Sequence, residues 1–181
     1  ARHGIDEIYS SPMIRARQTA TPLSEIIKKP ITIEDWAYEC WDEFAINYPD
    51  GSKLFCMNLH GTEYFTDENM AMIDNWTDLD FLKTTKAKEG WARITKAADE
   101  FFARHGYQRE GRVYKITNPS DKKIALFCHG GFSAILIPYL LNIPPQIYWA
   151  GFDLTHTGVC VFRFSNHKSG YTSPKCLTLS D

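Results

Sequence analysis

The chain has 181 residues, of which 44% are hydrophobic and 14% aromatic, so it has enough apolar side chains to build one substantial core. Its 20 basic and 22 acidic side chains give a formal net charge of -2, and their mixing along the chain argues against a nucleic-acid or anionic-membrane binder. No apolar run is long enough to cross a bilayer, and the five scattered cysteines lack zinc-ligand spacing, so we expect a cytoplasmic protein that uses no metal or cofactor.

The first predicted elements are a short strand over residues 5–9 and a helix over 13–27. Ser11 and Pro12 favour the helix start, with the serine as N-cap and the proline at the first helical position. The apolar residues of this helix predict its buried face, which consists of Ile14, Leu23, Ile26 and Ile27.

Arg15 falls in the first turn of this helix, beside backbone N–H groups that lack partners within the helix. A cation gains nothing from the helix dipole at this end. An anion bound by both the arginine and the N–H groups would explain the position. Arg17 lies on another face, and we interpret it as a solvated surface residue.

A second short strand is predicted over residues 31–33, followed by a stretch, 34–44, in which acidic and aromatic side chains interleave. Burial among rings raises the pKa of a carboxyl group, which makes such acids candidates for acid/base chemistry. Spacing alone does not choose among four of them: Glu34, Glu39, Asp42 and Glu43. Residues 47–90 are irregular, and we predict that they form a cap-like insertion over a site.

The second half of the chain alternates helices and strands. The helices are predicted over 89–105, closed by Gly106, and from about 132 to 141; the strands are predicted within 108–116, over 124–128, over 159–164 and over 176–179. The stretch between the last two strands is predicted to be a polar loop. This order predicts a single α/β domain over residues 1–181, with helices on both faces of the sheet.

The apolar run of residues 124–128 stops at His129, and Gly130 and Gly131 follow. A charge-free run of this kind predicts a buried parallel strand. His129 would then lie at the carboxyl end of a strand and before a helix N-terminus, where open α/β sheets bind ligands and where free N–H groups favour an anion. A phosphate site and a core histidine at a tight turn are both consistent with this stretch alone.

Two stretches together resemble the histidine phosphatase superfamily, whose fold is phosphoglycerate mutase-like. Residues 10–20, Ser-Ser-Pro-Met-Ile-Arg-Ala-Arg-Gln-Thr-Ala, resemble the family's SSPLxRAxQTA motif, and residues 127–131, Phe-Cys-His-Gly-Gly, resemble its second-histidine motif. The resemblance spans roughly residues 1–165. It implies a three-layer α/β/α sandwich with a mostly parallel central sheet, and phosphoryl transfer through a phosphohistidine on a small phosphorylated substrate.

The resemblance also implies roles for single residues. Arg15, His129 and Gly130 would bind the phosphoryl group, and His129 would stabilise its charge in the transition state. The family's acid/base is a glutamate that follows the next short strand, a position that Glu39 fits best and Glu34 second. The glycine-tryptophan context that usually follows this glutamate is absent here.

The family's nucleophilic histidine belongs to an Arg-His-Gly motif that precedes the Ser-Ser-Pro signature and follows a strand. The chain has two such triplets, at 2–4 and 104–106, but neither follows a predicted strand, and we interpret both glycines as helix C-caps. We interpret His60 and His167 as surface residues; for His156 we prefer a loop histidine without another role to one that approaches the pocket. We therefore expect the nucleophile to lie outside this chain.

The leading hypothesis is a phosphatase that hydrolyses a small phosphate ester. A phosphoglycerate-mutase-type phosphotransferase is an alternative that the few cations of the cap disfavour, because no arginine occurs between Arg17 and Arg93. A second alternative is a non-catalytic homologue that binds a phosphorylated ligand or a protein. A nucleotide-binding Rossmann domain is disfavoured because the chain has no GxGxxG. The sequence does not indicate the substrate or the oligomeric state.

Overall fold

The computed structural model describes residues 4–64 and 74–181. The strands are β1 (Glu7–Ser10), β2 (Ile31–Ile33), β3 (Ala45–Asn47), β4 (Lys53–Phe55), β5 (Tyr107–Glu110), β6 (Val113–Ile116), β7 (Ile124–Phe127), β8 (Val161–Arg163), β9 (Tyr171–Thr172) and β10 (Lys175–Thr178). The α-helices are α1 (Ile14–Ile27), α2 (Gly61–Tyr64), α3 (Ala87–Arg104), α4 (Gly130–Leu141) and α5 (Pro145–Gly151). Single 3-10 turns lie at Asp35–Ala37, Trp41–Glu43, Cys56–Asn58, Trp76–Asp78 and Asp80–Leu82.

The sheet that carries both sequence motifs is parallel, with the strand order β2-β1-β7. Ser10, the last residue of β1, pairs with Ile33 on one side and with Phe127 on the other, so the carboxyl ends of the three strands meet. Residues 124–127 are only partly buried, which corrects the prediction of a buried strand. The reason is that β7 is an edge strand within the described residues, paired with β1 alone.

Helices cover both faces of this sheet. α1 packs on β1, β2 and β7. Tyr9 of β1 packs edge-to-face on Phe101 of α3, with ring centroids 5.1 Å apart. Side chains alternate between the two faces of a strand, so Ile8, which is buried, faces the opposite way from Tyr9. The mixed α/β class and the three-layer arrangement are therefore confirmed.

The start and the buried face of α1 differ from the predictions. The helix begins at Ile14 with Met13 at the N-cap position, because the N–H of Ser11 still donates to the carbonyl of Phe127 in β7. Ile14 and Ile26, which were predicted to be buried, are 69% and 66% exposed. The buried side chains are Ala16 and Ala20, one turn apart, and their small size permits close approach to the sheet.

Residues 45–64 and 74–86 form only short elements, beginning with the antiparallel pair β3–β4, and α3 begins at Ala87. Their aromatic side chains pack on Trp149 of α5, whose ring centroid lies 5.2 Å from that of Trp76 and 6.4 Å from that of Tyr64. The buried residues of this segment belong to the same hydrophobic cluster as those of α3 and α4. Its interpretation as a cap, which includes residues 65–73 outside the described part, stays a prediction.

Several elements of the second half differ from the expected ones. α4 begins at Gly130, earlier than predicted, and Pro145 starts α5 where the sequence predicted only a helix end. The predicted polar loop contains β9, which completes an antiparallel sheet of order β5-β6-β9. The last strands, β8 and β10, pair antiparallel. Gly106 follows α3 with a φ of 89°, which confirms the predicted helix end.

Candidate active site

The candidate site lies at the carboxyl ends of β1 and β7. Ser11 directly follows β1, and His129 lies two residues after β7 in extended conformation, at the N-cap position of α4. Both residues are buried, with 0% and 8% of their surface exposed. This edge of the sheet is the position at which parallel α/β sheets bind ligands.

Two hydrogen bonds hold the His129 ring. Arg15 donates from Nε to His129 Nδ1 at 3.1 Å, and His129 Nε2 lies 2.8 Å from Ser11 Oγ. A guanidinium can only donate, so Nδ1 must be the unprotonated nitrogen and Nε2 carries the proton that Ser11 accepts. The Ser11 hydroxyl oxygen also accepts the backbone N–H of Met13 at 3.2 Å.

The electrostatics favour a neutral His129. Burial, and then the positive charge of Arg15, lower the pKa of His129 to about 4. The side chain of Arg15 is 58% exposed, so its guanidinium faces solvent on one side and the histidine on the other. The uncharged imidazole therefore shares the site with a cation that solvent can reach.

Glu39 lies on the other side of Arg15. Its Oε2 is 3.6 Å from Arg15 Nη2 and 3.9 Å from His129 Nδ1, and its Oε1 accepts the backbone N–H of Phe132 at 3.2 Å. The carboxyl group thus occupies the first turn of α4, where N–H groups have no partner within the helix. Burial raises the pKa of Glu39, although the Phe132 N–H and Arg15 both oppose the rise.

The other acids of the stretch 34–44 have different partners. Glu34 is buried and pairs with Arg104, Nη2 to Oε1 at 2.7 Å, while its Oε2 accepts the indole N–H of Trp36. Glu43 pairs with Arg93 at 2.6 Å, and Asp42 is exposed. Of the four candidates, the fold therefore places Glu39 beside Arg15 and His129.

The two glycines after His129 are not equivalent. A Cβ at Gly131 would lie 2.5 Å from Glu39 Oε1 and 2.6 Å from Phe55 Cζ, so this position has no room for a side chain. A Cβ at Gly130 would meet nothing within 4 Å. Gly130 is exposed at the start of α4, as its predicted phosphate-binding position requires.

Sequence reasoning missed the two neighbours that shape this site. The sequence indicates Ser11 as an N-cap. Ser11 also directly follows β1, which pairs parallel with β7, and this position was a usable signal that the serine side chain would approach His129. Phe55 lies in β4, and nothing in its sequence context indicates that its ring packs on Gly131.

The remaining described histidines lie elsewhere. His105 packs against Tyr9 and Phe101, and its Nδ1 is 3.7 Å from Glu7 Oε2 at the amino end of β1. The other three, His60, His156 and His167, are exposed. Within residues 4–64 and 74–181, His129 is the only histidine that forms a hydrogen bond or ion pair with Arg15 or Glu39. The first Arg-His-Gly triplet, with His3, lies largely outside the described residues, so the interpretation of Gly4 as a C-cap is untested.

No group of three or more His, Cys, Asp or Glu side chains is placed to hold a metal ion in the part of the chain that the structure describes. None of the helices there combines the length and the hydrophobicity that crossing a bilayer requires.

Comparison with a family model agrees with the first of the two motifs. The sequence model of the histidine phosphatase superfamily (branch 1) matches residues 1–50. A search of curated protein sequences gave no match.

Solved structures match nearly the whole chain. Phosphoserine phosphatase from Entamoeba histolytica, in complex with 3-phosphoglyceric acid, is 19% identical over 99% of this chain and 76% of its own, with a TM-score of 0.58. Mycobacterial glucosyl-3-phosphoglycerate phosphatase with inorganic phosphate is 16% identical over 99% of this chain and 79% of its own, also with a TM-score of 0.58. The resemblance to the histidine phosphatase superfamily is thereby confirmed in sequence over residues 1–50, and almost the entire chain shares its fold with these two phosphatase structures.

Proposed function

We propose that this chain carries the phosphate-binding and proton-transfer groups of a histidine-type phosphatase that hydrolyses a small phosphate ester. The observation that carries the proposal is the convergence of Arg15, His129 and Glu39 at the N-terminus of α4, from positions far apart in the sequence. Phosphate binding, charge stabilisation and proton transfer are the tasks that phosphoryl transfer to a histidine requires.

Phosphate binding is assigned to Arg15 and the first turn of α4. A guanidinium offers donors in a planar fork that matches phosphate oxygens, and free N–H groups at a helix N-terminus favour an anion. Arg15 is exposed enough to turn its donors from His129 to an incoming phosphoryl group. The backbone N–H of Gly130 lies at the start of the same helix.

Proton transfer is assigned to Glu39. A general acid must be protonated when the substrate binds, and burial favours this form by raising the pKa of Glu39. The carboxyl group would protonate the leaving oxygen and then, as a carboxylate, accept a proton from the water that hydrolyses the phosphohistidine.

The nucleophile is assigned to a histidine other than His129. In the structure both ring nitrogens of His129 are engaged, Nδ1 by Arg15 and Nε2 by Ser11, so the ring is held as a partner of the arginine rather than presented as a free nucleophile. Once Arg15 turns to the phosphoryl group, Nδ1 is released, and a His129 ring protonated there beside the anion would donate to a phosphoryl oxygen and stabilise its charge. We propose that the attacking histidine comes from a segment of the parent protein outside these 181 residues.

The proposed substrate class is supported by the names of the matching structures. One is a phosphoserine phosphatase and another a glucosyl-3-phosphoglycerate phosphatase, and both names denote a small phosphate ester. The same support extends to a small phosphorylated molecule, rather than a nucleic acid or a membrane, as the partner.

The test uses the full-length product of the gene. Full-length protein is expected to hydrolyse p-nitrophenyl phosphate and phosphoserine, and to form an acid-labile, base-stable phosphoenzyme. Removing one donor to the transition state should lower kcat by about 100-fold, so Arg15→Met and His129→Ala are expected to be nearly inactive. Turnover that is unchanged in both variants would refute the assignment.

A non-catalytic phosphate-binding role is the second candidate. It is favoured by one observation: among the described histidines, only His129 contacts Arg15 or Glu39. Titration of inorganic phosphate into the full-length protein, followed by calorimetry, separates the two functions. Binding that Arg15→Met abolishes, without a phosphoenzyme or turnover, would identify a binding protein.

A further inference from the structure

The segment that carries Glu39 has little secondary structure of its own. Between β2 and β3 the chain forms only the two 3-10 turns, Asp35–Ala37 and Trp41–Glu43, and Glu39 lies between them. A carboxyl group that must meet the first turn of α4 therefore needs support from outside the segment. Residues 34–44 are called the acid loop below.

Helix α3 provides this support through Arg93. Its guanidinium donates two parallel bonds to Glu43, from Nε to Oε1 at 2.8 Å and from Nη2 to Oε2 at 2.6 Å. Nη1 donates to the carbonyl of Trp36 at 3.1 Å, and the guanidinium carbon lies 4.2 Å from the ring centroid of Tyr38. One side chain thus holds the acid loop on both sides of Glu39.

The Arg93–Glu43 ion pair is largely shielded from solvent. The side chains of Arg93 and Glu43 are only 28% and 18% exposed, so solvent screens the pair less than a surface ion pair. A bidentate arginine–carboxylate pair also fixes orientation, which a lysine cannot reproduce.

Two more contacts show how closely α3 follows the acid loop. A Cβ at Gly90, one turn before Arg93, would lie 2.7 Å from Phe44 Cε2 and 2.9 Å from Glu43 Cβ. At the other end of the helix, Arg104 pairs with Glu34 at 2.7 Å. Helix α3 therefore holds the loop at its start and at its end.

We propose that Arg93 is a positioning residue for the general acid: through Glu43, Trp36 and Tyr38 it fixes the acid loop so that Glu39 meets the substrate's leaving oxygen. The inference rests on the proposed function. In the step concerned, the phosphorus–oxygen bond breaks as the bond to the nucleophilic histidine forms, and the Glu39 O–H proton passes to the leaving oxygen.

The leaving group distinguishes positioning from a general loss of structure. A p-nitrophenolate leaves without a proton, whereas the serine alkoxide of phosphoserine needs one, and kcat/KM reports the step in which the leaving group departs. In full-length Arg93→Met, kcat/KM for phosphoserine should fall by about 10-fold to 100-fold, because displacing a catalytic group by about 1 Å is that costly. The value for p-nitrophenyl phosphate should fall by less than about 3-fold.

Matched variants keep the test interpretable. Glu43→Gln removes the partner's charge and should show the same selective loss, whereas Lys96→Met removes an exposed cation of the same helix and should show none. Arg93→Lys, which keeps the charge but not the planar fork, should show a smaller loss that is again selective for phosphoserine, and it decides the test if Arg93→Met folds poorly. Equal losses on both substrates, or no loss, would overturn the proposal.

A readout that needs no turnover separates this inference from the proposed function. An inactive wild-type protein would refute the phosphatase proposal, and the inference would then be decided by ¹³C NMR titration of the Glu39 carboxyl group. A loosened acid loop exposes Glu39, so its raised pKa should fall towards the ordinary value in Arg93→Met. An unchanged Glu39 titration in that variant would overturn the positioning role.

Discussion

Adding one methyl group at Gly131 should destabilise the chain by crowding the site. The new Cβ would lie 2.5 Å from Glu39 Oε1 and 2.6 Å from Phe55 Cζ. The Glu39 carboxyl is the end of a flexible side chain and can move at low cost, but the Phe55 ring is 5% exposed and packed on all sides. We therefore expect overpacking at Phe55 to dominate, at about 1–3 kcal/mol.

Gly130→Ala is the matched control. Both glycines lie in the first turn of α4, so each substitution gains up to about 1 kcal/mol of helix propensity, and the gains cancel in the comparison. Because a Cβ at Gly130 meets nothing within 4 Å, we expect Gly131→Ala to be less stable than Gly130→Ala by about 1–3 kcal/mol.

Urea denaturation, followed by tryptophan fluorescence and far-UV circular dichroism, measures this difference directly. A double-mutant cycle with Phe55→Leu checks the cause, since a smaller side chain should recover part of the loss. The packing described here would be wrong if the two alanine variants unfolded within about 0.5 kcal/mol of each other.

Three further predictions concern the site. Burial and Arg15 depress the pKa of His129 to about 4, so the neutral form of His129 stabilises the fold fully above about pH 6.5, and this contribution is lost as the pH falls towards 4. In urea unfolding, wild type should therefore lose more stability between about pH 6.5 and pH 4 than His129→Gln. Burial raises the pKa of Glu39, so its ionised form opposes folding. Glu39→Gln should therefore be at least as stable as wild type near neutral pH. A decrease in the free energy of unfolding above about 1 kcal/mol would contradict this expectation. Ser11→Ala leaves His129 Nε2 without its acceptor and should lower the free energy of unfolding by about 1–3 kcal/mol. Thr19→Ala, which removes an exposed hydroxyl, should lower it by less than about 0.5 kcal/mol. Equal costs would argue against the Ser11–His129 bond.

The features that the sequence determined are local. A charge-free run that ends at His129 predicted β7, and apolar residues at helical spacing together with Gly106 predicted α3. The alternation of such elements fixed the α/β class, and the two motifs fixed the resemblance to the histidine phosphatase superfamily. Each of these conclusions needs only neighbouring residues, because propensity, periodicity and capping act over a few positions.

The site itself required the tertiary structure, because its contacts join distant parts of the chain. Glu39 and Phe132 are separated by 93 positions, and Ser11 and His129 by 118. Spacing therefore could not choose Glu39 over Glu34, since both follow β2 and both lie among aromatic side chains; only the packing of the acid loop on α3 directs one to Arg104 and the other to Arg15. The tertiary structure also decides that Gly131, and not Gly130, must lack a side chain, because the Phe55 ring that excludes a Cβ belongs to a strand far away in the sequence.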